Sequence, residues 1–430
     1  FYLAVYVLLL LAVSYFVSTK QKDEDFLIGG RNRSGWQIMF SKFAGAIGAG
    51  YFITYTGFAY EYGTGVFAML LGLLCGYLGF AYWGAPKIHK DSKKLKFYTM
   101  GDFVFSEPKN LFTLSLTNTI SNLILFLWLL VGIIGGAKIV SDFGLMSYSM
   151  AVLWTVGVIM VYIYLAGYKA VIITDVIQSF VIFGLLAIVT YSVISSGSVS
   201  DILAAPTWSI DIGVAVGFFL FGLLGIYSFS NMFQLCYAAK DESKLKHGMG
   251  LSVIPVVIVC FFLLLIGMFM VLKTPGLDSG LVFTEALKNF LPASLLPLGI
   301  VLFFAGIMSS ADTNAYGIAP HFVLKRPGIK SSIKSIRVSM IFLLLITTLV
   351  ALIFSDIVDV SILAGGTSLI LSVPILYLLF GGLNSRRFIG SVIGGIIGLI
   401  GGIAVLGIEP SVVVFVLIPS LIGLAWNFGE

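Results

Sequence analysis

Charge is what this sequence of 430 residues has least of: Asp, Glu, Lys and Arg make up 10 % of it, against about 25 % in a soluble globular chain. With 59 % hydrophobic residues and a mean hydropathy of +1.06, there is too little polar surface to cover a fold in water. Lipid must be the solvent. Disorder, nucleic-acid binding and a conventional cytosolic enzyme are thereby excluded. Cysteine is also scarce, and Cys75, Cys236 and Cys260 have neither paired nor metal-type spacing, so neither a disulfide framework nor a metal centre is indicated. His89, His247 and His321 fall at or near loops, and no nucleophile–base pair accompanies them. The chain begins at Phe1 and not at methionine, so a longer protein is expected at either end.

What is present is a succession of long apolar runs. A helix needs about 20 mainly apolar residues to cross a hydrocarbon core of about 30 Å. Roughly thirteen stretches qualify, near 1–18, 35–59, 64–86, 112–138, 147–167, 170–195, 212–236, 249–272, 293–318, 336–355, 360–381, 388–407 and 411–428. None alternates with period two, so an all-α polytopic membrane protein is predicted and a β-barrel is not. No connection is long enough to hold a core of its own, which leaves function to the helices.

The basic residues test the count. With the N-terminus outside and alternating connections, 21 of the 25 Lys and Arg fall on inner loops. These are Lys20, Lys22, Arg31 and Arg33; Lys87, Lys90, Lys93, Lys94, Lys96 and Lys109; Lys169; Lys240, Lys244 and Lys246; Lys325, Arg326, Lys330, Lys334 and Arg337; and Arg386 with Arg387. Lys138, Lys273 and Lys288 fall outside, and Lys42 falls within a membrane segment. The bias follows the positive-inside rule through every inner loop, so the net charge of +5 belongs to one membrane face. A multi-pass protein of the cell membrane, N-terminus outside and C-terminus cytoplasmic, is expected.

Three segments are unlike inert spans. Ser41 to Thr54 carries glycines at 45, 48 and 50, and Gly222 to Asn231 is again small and polar at mid-membrane. Close packing by small residues explains one such stretch. Two in corresponding places point instead to interrupted helices of an inverted-repeat transporter, whose freed carbonyls suit a hard cation. The third, Ile307 to Asn314, sets Ser309 and Ser310 one turn from Asp312. An intramembrane carboxylate costs about 2.5–3.5 kcal/mol even on the lenient insertion scale. Asp175 and Lys42 are buried charges of the same kind, and mutual pairing is expected of the three.

These stretches together resemble the sodium:solute symporter family. The resemblance is carried by Phe26 to Arg31, Tyr98 to Phe103, Gly167 to Ala170 with Thr174 to Gln178, Gln234 with Ala238 to Asp241, and Met308 to Asp312. It implies a leucine-transporter-like architecture of about 13 helices with two discontinuous ones. Residues 1–34 would form an extra leading helix and inner loop, 35–195 and 196–382 two inverted five-helix repeats, and 383–430 two trailing helices. It implies a co-transported Na⁺ held by the carbonyls of Ala44, Ile47 and Gly306 and the hydroxyls of Ser309 and Ser310. Some members have a second cation site, built from the aspartate at Asp175 and hydroxyls beyond the serine pair. Here Ala311 and Asp312 stand where those members carry two serines. A charge cluster of Lys42, Asp175 and Asp312 is expected in that place, taking over the second cation's role or exchanging a proton. Gly222 and Gly225 replace the amide and gating tyrosine of sugar carriers, which disfavours a sugar.

The expectation is therefore a secondary active transporter, a sodium-coupled symporter of a small polar solute, with an amino acid or a carboxylate favoured. Tyr51, Thr54, Tyr55, Asn118, Asn122, Tyr227, Ser228 and Asn231 are the candidate lining. A proton-coupled symporter and a membrane sensory module of a larger signalling protein are the alternatives. A channel is disfavoured because the polar groups converge on one place and form no rings, and an enzyme is excluded first. The bilayer and a small solute are the expected partners, no nucleic acid among them, and a weak homo-oligomer stays open. Topology can be tested directly: cysteines replacing Lys93 and Lys244 should react only with reagent on the cytoplasmic side, and one replacing Asp201 only from outside. Reaction from the opposite side at any of the three places the error in the segment count before that residue.

Overall fold

The computed structural model describes residues 2–18, 23–105, 110–195, 211–323, 333–382 and 384–425. Lys20, Lys22, Lys109, Asp201, Lys325, Arg326 and Lys330, which enter the topology argument, lie outside the described residues. Within them no strand forms; an isolated bridge joins Arg33 to Ala239. A leading helix α1 (Tyr2–Ser18) is followed by α2 (Gly35–Ala46) and α3 (Ala49–Tyr62) in close succession. Next comes α4 (Ala68–Gly79), which runs through a wide π turn at Phe80–Gly84 into α5 (Ala85–Leu95). Then follow α6 (Leu111–Asp142), α7 (Tyr148–Leu165) and α8 (Tyr168–Ser195). A second close pair, α9 (Ile212–Leu224) and α10 (Ser230–Ala238), opens the later part of the chain. It continues with α11 (Glu242–Lys273), α12 (Leu296–Val323), α13 (Ile333–Ile353) and α14 (Ile357–Leu379), and α15 (Ser385–Leu406) and α16 (Val412–Ala425) close it.

By length and composition nine helical stretches among the described residues can cross a bilayer, and the pair α9–α10, bent by 48°, makes ten. The difference from thirteen has physical causes. Helices α1 and α16 are apolar but short, and residues 50–95 form one nearly continuous helical run of 46 residues. Straight, that run would measure about 69 Å, twice a hydrocarbon core. It turns at Gly63, whose φ of +65° belongs to the left-handed region that side chains avoid. The sequence places a junction at the same point.

Helix starts are capped where the chain enters the apolar layer. Ser34 accepts from the Gln37 N–H while Gln37 Oε1 accepts from the Ser34 N–H, a reciprocal box that satisfies two otherwise orphan donors. Asn110, Asp241, Asp356 and Asn384 cap α6, α11, α14 and α15 more simply, each side-chain oxygen accepting backbone N–H bonds of the first turn. Several loops counted as inner meet on one face. Arg31 donates to Ser92 Oγ (2.9 Å) and to the Phe97 carbonyl (2.7 Å), and Lys93 donates to the Lys240 carbonyl (2.6 Å).

Helices α4 and α9 cross by backbone contact. A Cβ on Gly222 would stand 2.6 Å from the Met69 carbonyl oxygen, and one on Gly72 would collide with the Phe219 carbonyl. Gly222 therefore serves packing, and the unwinding expected from that residue onward starts only at Gly225. Gly72→Val should destabilise by about 1–3 kcal/mol through overpacking. Gly157→Ala, where nothing lies within 4 Å of the added methyl, should be neutral or stabilise by up to about 1 kcal/mol through helix propensity. Thermal unfolding of the detergent-purified variants reads both.

Candidate functional site

The site is built on two broken helices. After α2 the chain leaves helical geometry at Ile47 (φ −91°, ψ 69°) and Gly48 (φ −85°, ψ 173°) before α3 resumes. A helix end leaves its last four carbonyls without helical partners, and Ala44 falls among those of α2. In the second pair a tight 3₁₀ turn over Gly225–Ser228 and an extended Phe229 (φ −83°, ψ 111°) separate α9 from α10. Both breaks face one cavity. Lys42, Gly45, Gly48, Tyr51 and Tyr77 line it from one side, Trp128, Val131 and Gly132 from α6, Phe229, Asn231 and Met232 from the second break, and Ser310 and Asn314 from α12.

Of the residues matched to the sodium position, Gly306 and Ser310 meet at the first break, and Ser310 lines the cavity. Gly48 is pressed against the side chain of Ser310, and a Cβ on it would be 3.4 Å from the Gly306 carbonyl oxygen. Ser310 Oγ donates to that carbonyl at 3.0 Å, whereas Ser309 Oγ turns to Asp175 Oδ1 at 3.0 Å. Ala44, Ile47 and Ser309 are fully buried. The five residues offer backbone and hydroxyl oxygens and no side-chain nitrogen, a donor set suited to a hard cation.

The three charges do not form one cluster. Lys42 Nζ donates to Tyr77 OH (2.9 Å) and lies 4.0 Å from the Tyr77 ring centroid. No carboxylate is within 4.0 Å of it among the described residues. The expected pairing with Asp175 or Asp312 is overturned by helix geometry: consecutive residues of α2 point about 100° apart, and Ser41 is the one that faces α8. Its hydroxyl donates to Asp175 Oδ2 at 2.6 Å. Asp312 is held by Tyr162 OH at 2.7 Å, and the same hydroxyl lies 2.6 Å from Thr174 Oγ1. Tyr162 has one proton for two neighbours. With Thr174 turned back to the Ala170 and Val171 carbonyls (3.1 and 3.0 Å), Tyr162 donates to Thr174 and Asp312 must carry a proton. With Thr174 turned to Tyr162, Asp312 is a carboxylate.

The leading helix completes this second centre. Tyr6 of α1 reaches toward Gln178 and both aspartates, while the Tyr6 hydroxyl and both Gln178 amide atoms are buried without a hydrogen-bond partner. Sequence reasoning did not find Tyr6 or Tyr162, because a buried tyrosine in a membrane helix has no distinguishing spacing, and it met Gln178 only as part of the family resemblance. It also passed over Tyr77, Trp128 and Asn314, although Asn314 belongs to the polar run after Ser309.

Of the eight candidate lining residues, Tyr51 and Asn231 line the cavity. Tyr55 stacks on Tyr51 (centroids 4.5 Å apart) and lines a neighbouring apolar pocket with Trp128 and Phe221. The other five serve elsewhere. Thr54 bonds Ser361 Oγ at 2.8 Å, Ser228 donates to the Gly225 carbonyl at 2.7 Å, and Tyr227 packs edge-on to Phe80 and Trp83. Asn118 accepts from the Gly101 N–H at 3.0 Å, and Asn122 bonds His321 Nδ1. The two asparagines precede Trp128 on α6 by ten and six residues, about 15 and 9 Å along the axis, which sets them below the cavity.

Broken membrane helices around a cavity that carries polar groups define a multi-pass transporter of small solutes, not an enzyme. The pattern described as the sodium:solute symporter family matches residues 26–316. The chain belongs to that family, with Na⁺ as its co-transported ion. It is 25 % identical over 346 residues to the sodium/pantothenate symporter of Haemophilus influenzae, covering 75 % of this chain and 70 % of the relative. Its fold is that of a Na⁺-coupled sialic acid symporter seen substrate-bound and outward-open (TM-score 0.75, 17 % identity, 98 % of this chain and 97 % of the other). It is also similar to a nucleobase-cation-symport-1 family transporter seen closed with bromovinylhydantoin bound (TM-score 0.63, 12 % identity, 94 % of each chain).

The carboxylate centre makes a specific demand. In the arrangement with Asp312 a carboxylate, Tyr162→Phe removes the hydroxyl between Thr174 and Asp312 and should cost about 1.5–3 kcal/mol, the range for a bond to a charged group. Asp312→Asn introduced into Tyr162→Phe should recover part of that loss, because the orphaned charge is gone. A thermal-unfolding double-mutant cycle with no coupling between the two would contradict the arrangement.

Proposed function

We propose that this protein imports a small polar organic solute across a cell membrane, driven by Na⁺ and working by alternating access, with carboxylates and amino acids as the favoured classes. The convergence of two helix breaks on one cavity within the bundle carries this reading: unwound backbone inside a membrane is tolerated where it lines a cavity, and transporters place substrate and ion there. Pantothenate and sialic acid, named for two relatives, are both organic acids, which supports the carboxylate side of the choice.

In this proposal the chain makes thirteen spans, N-terminus outside and C-terminus inside. Residues 1–34 add a leading helix, 35–195 and 196–382 are the inverted repeats, and 383–430 trail. The position of α2–α3 at the start of one proposed repeat and α9–α10 at the start of the other supports that division. Na⁺ would bind to the carbonyls of Ala44, Ile47 and Gly306 and to Ser309 and Ser310. Asp175 and Asp312 would take a further cation or a proton, since hydroxyls are the partners described for both carboxylates and Lys42 is turned away. Two buried carboxylates without a compensating cation are costly unless one is protonated or an ion joins them.

Sodium binding is tested by thermal shift of the purified protein, because a ligand that binds only the folded state stabilises it by mass action. Ser309→Ala and Ser310→Ala should each raise the Na⁺ concentration needed for stabilisation by about tenfold or more, the consequence of losing one oxygen partner of a charge. Uptake of radiolabelled pantothenate and of amino acids into vesicles, with and without a Na⁺ gradient, then reads the coupling. Unchanged Na⁺ dependence in both serine variants would remove the site.

A further inference from the structure

We propose that Lys42 is the anchor for the solute's carboxylate, so that the transported solute is an organic anion and not a zwitterion. This deepens the transport reading above and rests on it. Lys42 is 2 % exposed, lines the central cavity and is the one charged side chain among the described residues that do so. Its ammonium touches a neutral phenol and an aromatic face but no carboxylate. A desolvated ammonium in that setting calls for an anion, and the cavity is where one can arrive. The two aspartates that could have neutralised it are committed to Ser41, Ser309 and Tyr162 behind the opposite faces of α2 and α12. The wall therefore offers a cation for a carboxylate and nothing negative for a solute ammonium.

The rest of the lining fits the remainder of such a solute. The Trp128 indole N–H and the Asn231 side-chain oxygen are buried without a partner, a free donor and a free acceptor on facing elements. Tyr51, Trp128 and Phe229 supply flat apolar surface between them. A carboxylate with a short neutral tail carrying a hydroxyl or amide is the chemistry this surface takes.

The placement also accounts for coupling. Ser310, one of the proposed sodium ligands, lines the same cavity as Lys42. Na⁺ and the ammonium repel each other across it until an anion sits between them, so each should bind more tightly in the presence of the other, and reciprocally. Lys42 thereby acts as a specificity residue and as the means by which solute and ion sense one another.

The test is thermal shift of the full chain against matched probes: lactate, 3-hydroxybutyrate and N-acetyl-β-alanine, their neutral amides, and the zwitterions alanine and β-alanine, each titrated with and without Na⁺. At least one carboxylate should stabilise at about tenfold lower concentration than its amide or the related zwitterion, the change one charge-assisted bond gives. That carboxylate should also lower the Na⁺ concentration for half-maximal stabilisation. Lys42→Met should tighten Na⁺ binding in the absence of solute, because the repulsion is gone, and abolish the preference for the acid; Lys42→Arg should retain it. A purely structural lysine would not move the Na⁺ titration in that direction. Equal response to acid and amide throughout the panel, or a preference for the acid that survives in Lys42→Met, overturns the proposal. If the methionine variant does not fold, the wild-type panel and Lys42→Gln decide. Failure of Na⁺ to stabilise any variant, with the acid preference intact, would instead fall on the sodium reading and leave the anchor standing.

Discussion

Inside hydrocarbon every backbone carbonyl and N–H must find a partner, and leaving one bare costs several kcal/mol. That constraint makes the described chain helical from end to end, and it makes the two places where the helix stops informative. At Ile47–Gly48 and at Gly225–Phe229 the backbone gives up its regular ladder in the middle of the bundle. Such breaks persist only if surrounding protein, and not lipid, receives the freed groups. Here they do so together, around one cavity closed by α6 and α12. The small residues beside the breaks have separate tasks. Gly48 lets the chain pass against Ser310, Gly222 lets α9 lie on α4, and the unwinding falls between such contacts.

Charge obeys the same constraint with larger energies. The bundle contains a buried ammonium and two buried carboxylates, and it keeps them apart. Ser41 and Lys42, neighbours in sequence, diverge around α2, so one reaches the carboxylate centre and the other the cavity. The carboxylate centre is insulated by hydroxyls from Ser41, Ser309, Tyr162 and Thr313, each able to reorient its proton. The result is a chemical division of the interior: a carboxyl pocket behind α2 and an amine in front of it, with Ser309 and Ser310 turned one to each side.

How much of this was legible beforehand depended on whether a feature is periodic and local or pairwise and distant. Apolar runs of about 20 residues, glycine clusters and an intramembrane Ser-Ser-Ala-Asp stretch are local, and they announce membrane helices, irregular spans and buried polarity without reference to any neighbour. The family resemblance added order and spacing. The break placed between residues 59 and 64 coincides with Gly63, where the helical run turns. Asn118 and Asn122 show the limit: polarity within a membrane segment was visible, but their depth relative to Trp128 was not, and at 1.5 Å per residue a few positions carry a side chain out of the site.

The sequence by itself therefore determined the solvent, the helical class, the positions of both irregular spans and the symporter family to which the chain belongs. Composition and periodicity act on each segment alone, and the family came from the resemblance of ordered motifs, so no spatial partner had to be known. Only the tertiary structure decided which polar groups meet. It separated Lys42 from the aspartates, brought Tyr6 of the leading helix to Gln178, and set Tyr77, Trp128 and Asn314 around the cavity. Those outcomes depend on the rotation of one helix against another. A hydrophobic pattern that runs all round a membrane helix carries no record of which face its neighbour will cover.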